Sequence, residues 1–229
     1  MRRNVNLAGL SLAALLAAIS SFAAVRSVPL TSTKGLTVFS GKLTIAQHGG
    51  RTAGMLVGDR EAEGTTSAAI ALVDLPAMHN GTIEIDLAGE TSAGADETAR
   101  GFVGVVFRST TDASHFEYFY IRPLNARDPD QLRRNHSTQY ASHPDYSWKR
   151  LRKESPGVYE SYADLQPGVW THVRIVVRDS DASFYVGDAS QPCLVVHDLK
   201  LGAAASGAVG LWIGDQAIGY FSDLKITTR

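Results

Sequence analysis

The sequence predicts an all-β chain folded as a two-sheet antiparallel jelly-roll sandwich. Short apolar or strictly alternating runs recur at roughly 8–12-residue spacing. Gly, Asp, Asn and Pro separate them. Beyond the first two dozen residues no segment carries a 3.6-residue period. About a dozen such runs exceed the seven of a small immunoglobulin-like domain, so a large jelly roll is favoured. The chain has 229 residues, 44% hydrophobic and 20% charged, a globular rather than a disordered balance.

The elements follow in chain order. Residues 36–39 and 42–45 open the series, and 67–73 is the next apolar run. Asn80-Gly81 is a turn signal, and Thr82-Ile83-Glu84-Ile85-Asp86-Leu87 alternates strictly after it. Phe102 to Phe107 is apolar on both faces, as a central covered strand requires. Phe116 to Arg122 alternates again. Gln166-Pro167-Gly168 turns into residues 170–177, and 183–186 ends at Gly187-Asp188. Residues 194–196, 209–213 and 220–227 complete the set.

The N-terminus has the layout of a secretory signal peptide. Arg2 and Arg3 are its basic region, Leu7 to Ile19 its apolar run, and Ser21-Phe22-Ala23 its small-residue cleavage site. The run is short for a membrane span and no stop-transfer segment follows, so no span remains after cleavage. The expected organisation is a signal peptide over 1–23, a tail over 24–35 and one jelly-roll domain over 36–227, in a secreted or periplasmic protein. Cleavage leaves 20 basic against 23 acidic residues, net −3, which argues against a generic nucleic-acid partner. With one cysteine there is no intrachain disulfide and no Cys-based zinc site. Cys193 lies in an apolar run and reads as a small buried hydrophobe.

Residues 123–168 stand apart as long, polar and aromatic, with few clean strand signals. Segments of this length inside a compact domain are commonly functional. Arg122 to Glu154 carries eight basic residues against four acidic, a local +4. The aromatic residues Tyr140, Tyr146, Trp148, Tyr159 and Tyr162 argue for an ordered segment packed over the sandwich.

Several motifs together resemble the concanavalin A-like lectin/glucanase superfamily, in its laminin-G-like and 3-keto-disaccharide hydrolase-type forms. They are Pro167-Gly168-Val169-Trp170-Thr171-His172-Val173-Arg174-Ile175, Phe184-Tyr185-Val186-Gly187, Gly207 to Ile213, Gly219 to Ile226, and Asn80 to Asp86. The likeness covers roughly residues 36–227. It implies two antiparallel sheets with carbohydrate commonly bound on the concave face, and a glycan as the partner. Fold analogy alone does not transfer chemistry.

Glu84 and Asp86 are the candidate catalytic carboxylates, since strand period 2 puts both on one face. Glu90 lies about 20 Å beyond Glu84 in extended chain, too far for the ~5–5.5 Å pair of a retaining glycosidase. No complete catalytic carboxylate motif is present, and a solvent-facing polar stripe is the preferred reading. His115, His136, His143 and His172 lack metal-ligand spacing. Asp128 and Asp130 could offer carboxylates to calcium, as some laminin-G-like domains do, but a turn with solvated charges is preferred. No cofactor is expected.

The strongest functional signal is Tyr118 to Arg152. Phe119 and Ile121 should face the core, so Tyr118, Tyr120 and Arg122 face away from it. Together with Arg134, Asn135, His136, Gln139, Tyr140 and Trp148 they form the expected ligand-binding set. Flat aromatic faces suit sugar rings and bidentate polar groups suit hydroxyls. The competing reading is that these residues only tie the loop down. The expected function is a secreted carbohydrate-binding domain. The alternatives are a glycoside hydrolase of the same fold, or a structural or protein-interaction module. The +4 segment points to an acidic or heavily hydroxylated glycan.

Overall fold

A computed structural model describes residues 23–61 and 66–228. The expected signal peptide lies outside the described residues, apart from Ala23. The described chain is a sandwich of two antiparallel sheets. Strands are numbered in chain order.

The first sheet contains β1 (Ala24–Val28), β3 (Gly41–His48), β4 (Arg51–Gly58), β6 (Gly81–Thr91), β11 (Thr171–Arg178), β12 (Asp181–Val186), β13 (Leu194–Val196) and β15 (Ala217–Thr228). Its order is β13-β12-β11-β6-β15-β4-β3. β15 is long enough to hold two partners along one edge. β4 pairs with Ile218 to Phe221, and β1 pairs with Leu224 to Thr228. Residues 24–28, read from the sequence as tail, are therefore a paired strand. A short run with Arg26 and Ser27 between apolar neighbours gives too little alternation to show this.

The second sheet contains β2 (Leu36–Phe39), β5 (Ala69–Val73), β7 (Val103–Ser109), β8 (Phe116–Ile121), β9 (Thr138–His143), β10 (Glu160–Ser161) and β14 (Ala208–Ile213). Its order is β10-β9-β8-β7-β14-β5-β2. The expected loop over 123–168 is folded. It holds a 3-10 turn over Pro123–Asn125, helix α1 (Gln131–Asn135), β9, helix α2 (Trp148–Glu154) and β10. Asp130 caps α1 by accepting from the Leu132 amide, and Ser147 caps α2 by accepting from the Arg150 amide. Both helices are too short to show a period.

Period 2 puts Val103, Val105 and Phe107 of β7 and Phe119 and Ile121 of β8 into the core between the sheets. They meet Ile83, Ile85, Leu87, Val173, Ile175 and Phe184 from the first sheet. The other face of the second sheet is also apolar. Ile70, Leu72, Val106 and Phe116 form a separate buried cluster there, flanked by Tyr118 and Trp212. Gly104 is what lets this outer face close. It stands directly opposite Tyr120 on one side and Trp212 on the other. A Cβ at Gly104 would lie 2.3 Å from the Phe119 carbonyl oxygen and 2.5 Å from the Tyr120 Cβ. Without it the Tyr120 and Trp212 rings meet across the strand, centroids 4.9 Å apart.

Candidate functional site

β8 and the residue that follows it deliver three side chains at period 2: Tyr118, Tyr120 and Arg122. Tyr118 stacks on Tyr120 with centroids 5.4 Å apart. Arg122 is 4% exposed and its guanidinium is the hub of the region. Nη2 donates to the Tyr120 hydroxyl (2.8 Å) and to Gln139 Oε1 (3.0 Å). Nη1 donates to the His136 carbonyl (2.9 Å) and lies 3.4 Å from Glu160 Oε1. Glu160 also holds Arg152 at 2.5 Å and the His136 ring at 3.2 Å. Trp148 stands over this group, with the Arg152 and Arg122 guanidinium carbons 4.7 and 5.6 Å from its ring centroid.

Of these groups, Arg122, His136, Trp148 and Arg152 border a cavity of about 650 Å³ beyond the end of the second sheet. Trp148, Arg152, His136, Arg100, Leu132 and Asn125 are among its walls. Leu132 is 68% exposed there. Asn125 is 5% exposed. Its Nδ2 donates to the His136 carbonyl (3.1 Å), but its Oδ1 has no hydrogen-bond partner. A buried acceptor without a donor costs about 1–3 kcal/mol. The Oδ1 is buried behind the wall of the cavity, so Asn125 is a packed residue whose amide holds the His136 carbonyl in place.

Of the nine expected ligand-binding residues, the structure gathers Tyr118, Tyr120, Arg122, His136, Gln139 and Trp148. It places three elsewhere. Tyr140 lies in the core, opposite Phe119 in the β8–β9 register and 5.3 Å from its ring. Gln139 and Tyr140 are neighbours on one strand, so period 2 forbids them a common face. Arg134 donates to the Asp128 and Pro129 carbonyls and to Gln131, and Asn135 accepts from Gln131. Both residues hold α1 to the turn before it. Within the gathered set, Tyr120, Arg122 and Gln139 are buried and positioning, whereas Trp148 and His136 are partly exposed.

Sequence reading missed Glu160, the carboxylate under the cluster. Its signal was only its place in an aromatic stretch read as loop. Missing it distorted the charge. Glu160 and Asp164 lie just beyond the +4 segment, and they take up Arg122, Arg152 and Arg127. Arg133 and Arg150 pair with Asp128 and Glu154 inside it. Counting Glu160 and Asp164 halves the local charge, from +4 over residues 122–154 to +2 over residues 122–164.

The first sheet carries the other expected carboxylates on its outer face. Lys225 pairs with Glu84 at 3.2 Å. Arg51 and His172 pair with Asp86 at 2.5 and 2.7 Å. Burial raises the Asp86 pKa, but the hydrogen bonds from His172 and Arg51 outweigh it and hold the carboxyl below its ordinary value. Asp128 accepts from the Asp130 amide and from Arg133, and Asp130 is a helix cap. Among the described residues no group of three His, Cys, Asp or Glu side chains is placed to hold a metal ion. Burial pushes the Cys193 thiol up to about 11, so it stays protonated at neutral pH.

Two histidines on this side of the second sheet should make stability pH-dependent. Burial pushes His136 below its ordinary value; Arg152 and Arg122 push the same way against Glu160. Burial also lowers His143, which stacks on Phe116. In the pH range just under 6.5 the unfolded chain therefore binds more protons than the folded one, and stability falls with pH. The melting temperature should drop between about pH 7 and pH 5. The His143→Gln variant should flatten that drop, and an unchanged profile would contradict the assignment.

The sequence matches no family model and no curated protein. Solved structures do match. The carbohydrate-binding module CBM66 from Bacillus subtilis superposes with TM-score 0.57 at 15% identity, over 83% of this chain and 94% of that one. The exoplasmic/lumenal domain of VIP36, in its Ca2+-bound form, gives TM-score 0.59 at 6% identity, over 89% and 90%. A Bacillus subtilis protein of unknown function with a galectin-like fold gives 0.58 at 11% identity, over 89% and 96%. The chain has a concanavalin A-like lectin fold. At these identities the likeness covers the sandwich and not the side chains of any site. The Trp148 cavity is lined by α1, α2, the 3-10 turn and the loops beyond the ends of β7, β8 and β15. Among the described residues no helix is long and apolar enough to cross a membrane.

Proposed function

We propose that this chain is an exported carbohydrate-binding domain that takes a neutral, hydroxyl-rich glycan in the Trp148 cavity. The observation that carries the reading is the part-exposed Trp148 indole on the wall of a cavity that polar side chains also line. Its ring supplies a flat apolar surface for the pyranose or furanose C–H face. Arg152 and His136 offer polar groups to further hydroxyls. Arg122 and Glu160 hold these residues in place.

Three observations support the class. The fold is shared with the carbohydrate-binding module CBM66 and with the exoplasmic/lumenal domain of VIP36. The ion pairs with Glu160 and Asp164 occupy Arg122, Arg152 and Arg127, so these guanidiniums are not free to take a ligand carboxylate. The Arg2-Arg3 and Leu7 to Ile19 leader supports export. Affinity electrophoresis through gels containing mannan, xylan, fructan, or a uronate-rich polysaccharide tests the reading. Retardation by a neutral polymer, changing little between about 0.05 and 0.5 M salt, is the expected result. The Trp148→Ala variant should lose most of the retardation while melting close to the wild-type temperature. Retardation by the uronate polymer alone, abolished by salt, would contradict it.

A further inference from the structure

The outer face of the first sheet holds a second cavity, of about 660 Å³. It shares no lining residue with the Trp148 cavity. The segment 123–168 separates the two: Asn125 borders one and Arg127 the other.

Antiparallel pairing of β6 with β11 sets Asp86 directly opposite His172. His172 Nδ1 lies 2.7 Å from Asp86 Oδ1. Facing a carboxylate, Nδ1 is the donor to Asp86, and Nε2 is the ring nitrogen left for a ligand on a side chain that is 40% exposed. Arg51 gives one N–H to Asp86 Oδ2, and its guanidinium carbon sits 5.3 Å from the Trp170 ring centroid. Cross-strand pairing alone would explain Asp86 and His172. It does not explain the apolar wall beside them. Tyr162 and Val169 line the same cavity at 46% and 49% exposure, and Tyr162 is the only aromatic residue among the strongly exposed apolar side chains of the described residues. Exposed apolar surface next to convergent polar groups is the composition of a ligand site. The cavity's two arginines are paired, Arg51 with Asp86 and Arg127 with Asp164, and its remaining carboxylate is Asp188. An anionic ligand would have to break one of those pairs. A neutral ring with hydroxyls on its edge and C–H groups on its face would not.

We propose that this cavity is a second sugar site, so that one chain engages glycan at two separate cavities. The proposal rests on the glycan reading for its ligand class, while its residues are independent of the Trp148 cavity. The three tryptophans allow a direct test, because Trp148 borders one cavity, Trp170 the other, and Trp212 packs on Tyr118 and Tyr120. Protein labelled with 5-fluorotryptophan is titrated with trisaccharides derived from mannan, xylan and fructan, and the three fluorine resonances are assigned with Trp→Phe variants. Saturable shifts of both the Trp148 and Trp170 signals are expected. In Tyr162→Ala the Trp170 shift should be lost and the Trp148 shift kept, and in Trp148→Ala the Trp170 shift should be kept. A response from Trp148 alone would overturn the second site and leave the first. A response from Trp170 alone would support the second site and overturn the reading of the Trp148 cavity. No response to any of the three sugars would overturn both.

Discussion

Replacing Glu117 by alanine should be the most damaging single truncation in the second sheet, costing about 3–5 kcal/mol. Glu117 and Arg108 are an ion pair with both side chains fully buried, their nearest atoms 3.5 Å apart. Arg108 also donates to the carbonyls of Asp179 (2.6 Å) and Gly202 (3.1 Å). Glu117 Oε1 accepts from the Tyr140 hydroxyl (2.6 Å) and from the Leu201 amide (3.1 Å). Alanine would leave a buried guanidinium without its carboxylate, and a phenol and an amide without an acceptor. For a chain of this size, each kcal/mol is worth roughly 2–4 °C, so the melting temperature should fall by on the order of 10 °C. Glu117→Gln keeps an acceptor for Tyr140 and should lose less. Thermal unfolding by circular dichroism checks both variants. Glu117→Ala melting within about 2 °C of wild type would mean that the pair contributes nothing. The folded fraction should retain glycan affinity, because Glu117 points into the core side and does not border the Trp148 cavity.

Arg122 should couple stability to binding, as Glu117 does not. Its removal leaves the Tyr120 hydroxyl and Gln139 Oε1 without their donor, at a cost on the order of 3 kcal/mol. Glu160 keeps Arg152 and His136, so no buried charge is orphaned and the loss stays below that of Glu117→Ala. The His136 carbonyl is shared by Arg122 and Asn125, so loosening one displaces the other. Trp148 also loses a cation beneath its ring. Arg122→Ala should therefore weaken glycan binding by about tenfold or more, which is about 1.4 kcal/mol or more of binding free energy. Arg122→Lys should not rescue it, because an ammonium cannot span the four acceptors that the planar guanidinium fork reaches. Retention of both stability and affinity in the lysine variant would contradict the hub role.

The sandwich was legible in the sequence because its core strands alternate cleanly. Thr82 to Leu87 and Trp170 to Val177 show period 2, and they pair with each other in the structure. Strands β4 and β9 were not legible. β4 carries Ala53, Gly54 and Gly58, whose small side chains give little pattern although Ala53 and Leu56 are fully buried. β9 buries Thr138, Gln139 and Ser142, polar residues whose partners come from distant chain: the Ser161 carbonyl for Thr138 and Arg122 for Gln139. A buried polar strand is indistinguishable from loop until those partners are known. The outward face of β8 was legible by the same period-2 argument that, applied to Gln139 and Tyr140, separates them. Arg134 and Asn135 resembled sugar-binding groups in composition, but α1 uses them locally. Glu160 could not be read at all, because its role depends on three residues brought to it by folding.

The central claim is that the Trp148 cavity holds a glycan. Affinity for the best-bound neutral oligosaccharide in Trp148→Ala, measured by isothermal titration alongside thermal unfolding, tests it most directly. Trp148 is a partly exposed helix residue, so its truncation should move the melting temperature little. Loss of the stacking surface should cost on the order of 1–2 kcal/mol of binding, a roughly five- to thirtyfold weaker affinity. Unchanged affinity in a folded Trp148→Ala protein would contradict the account.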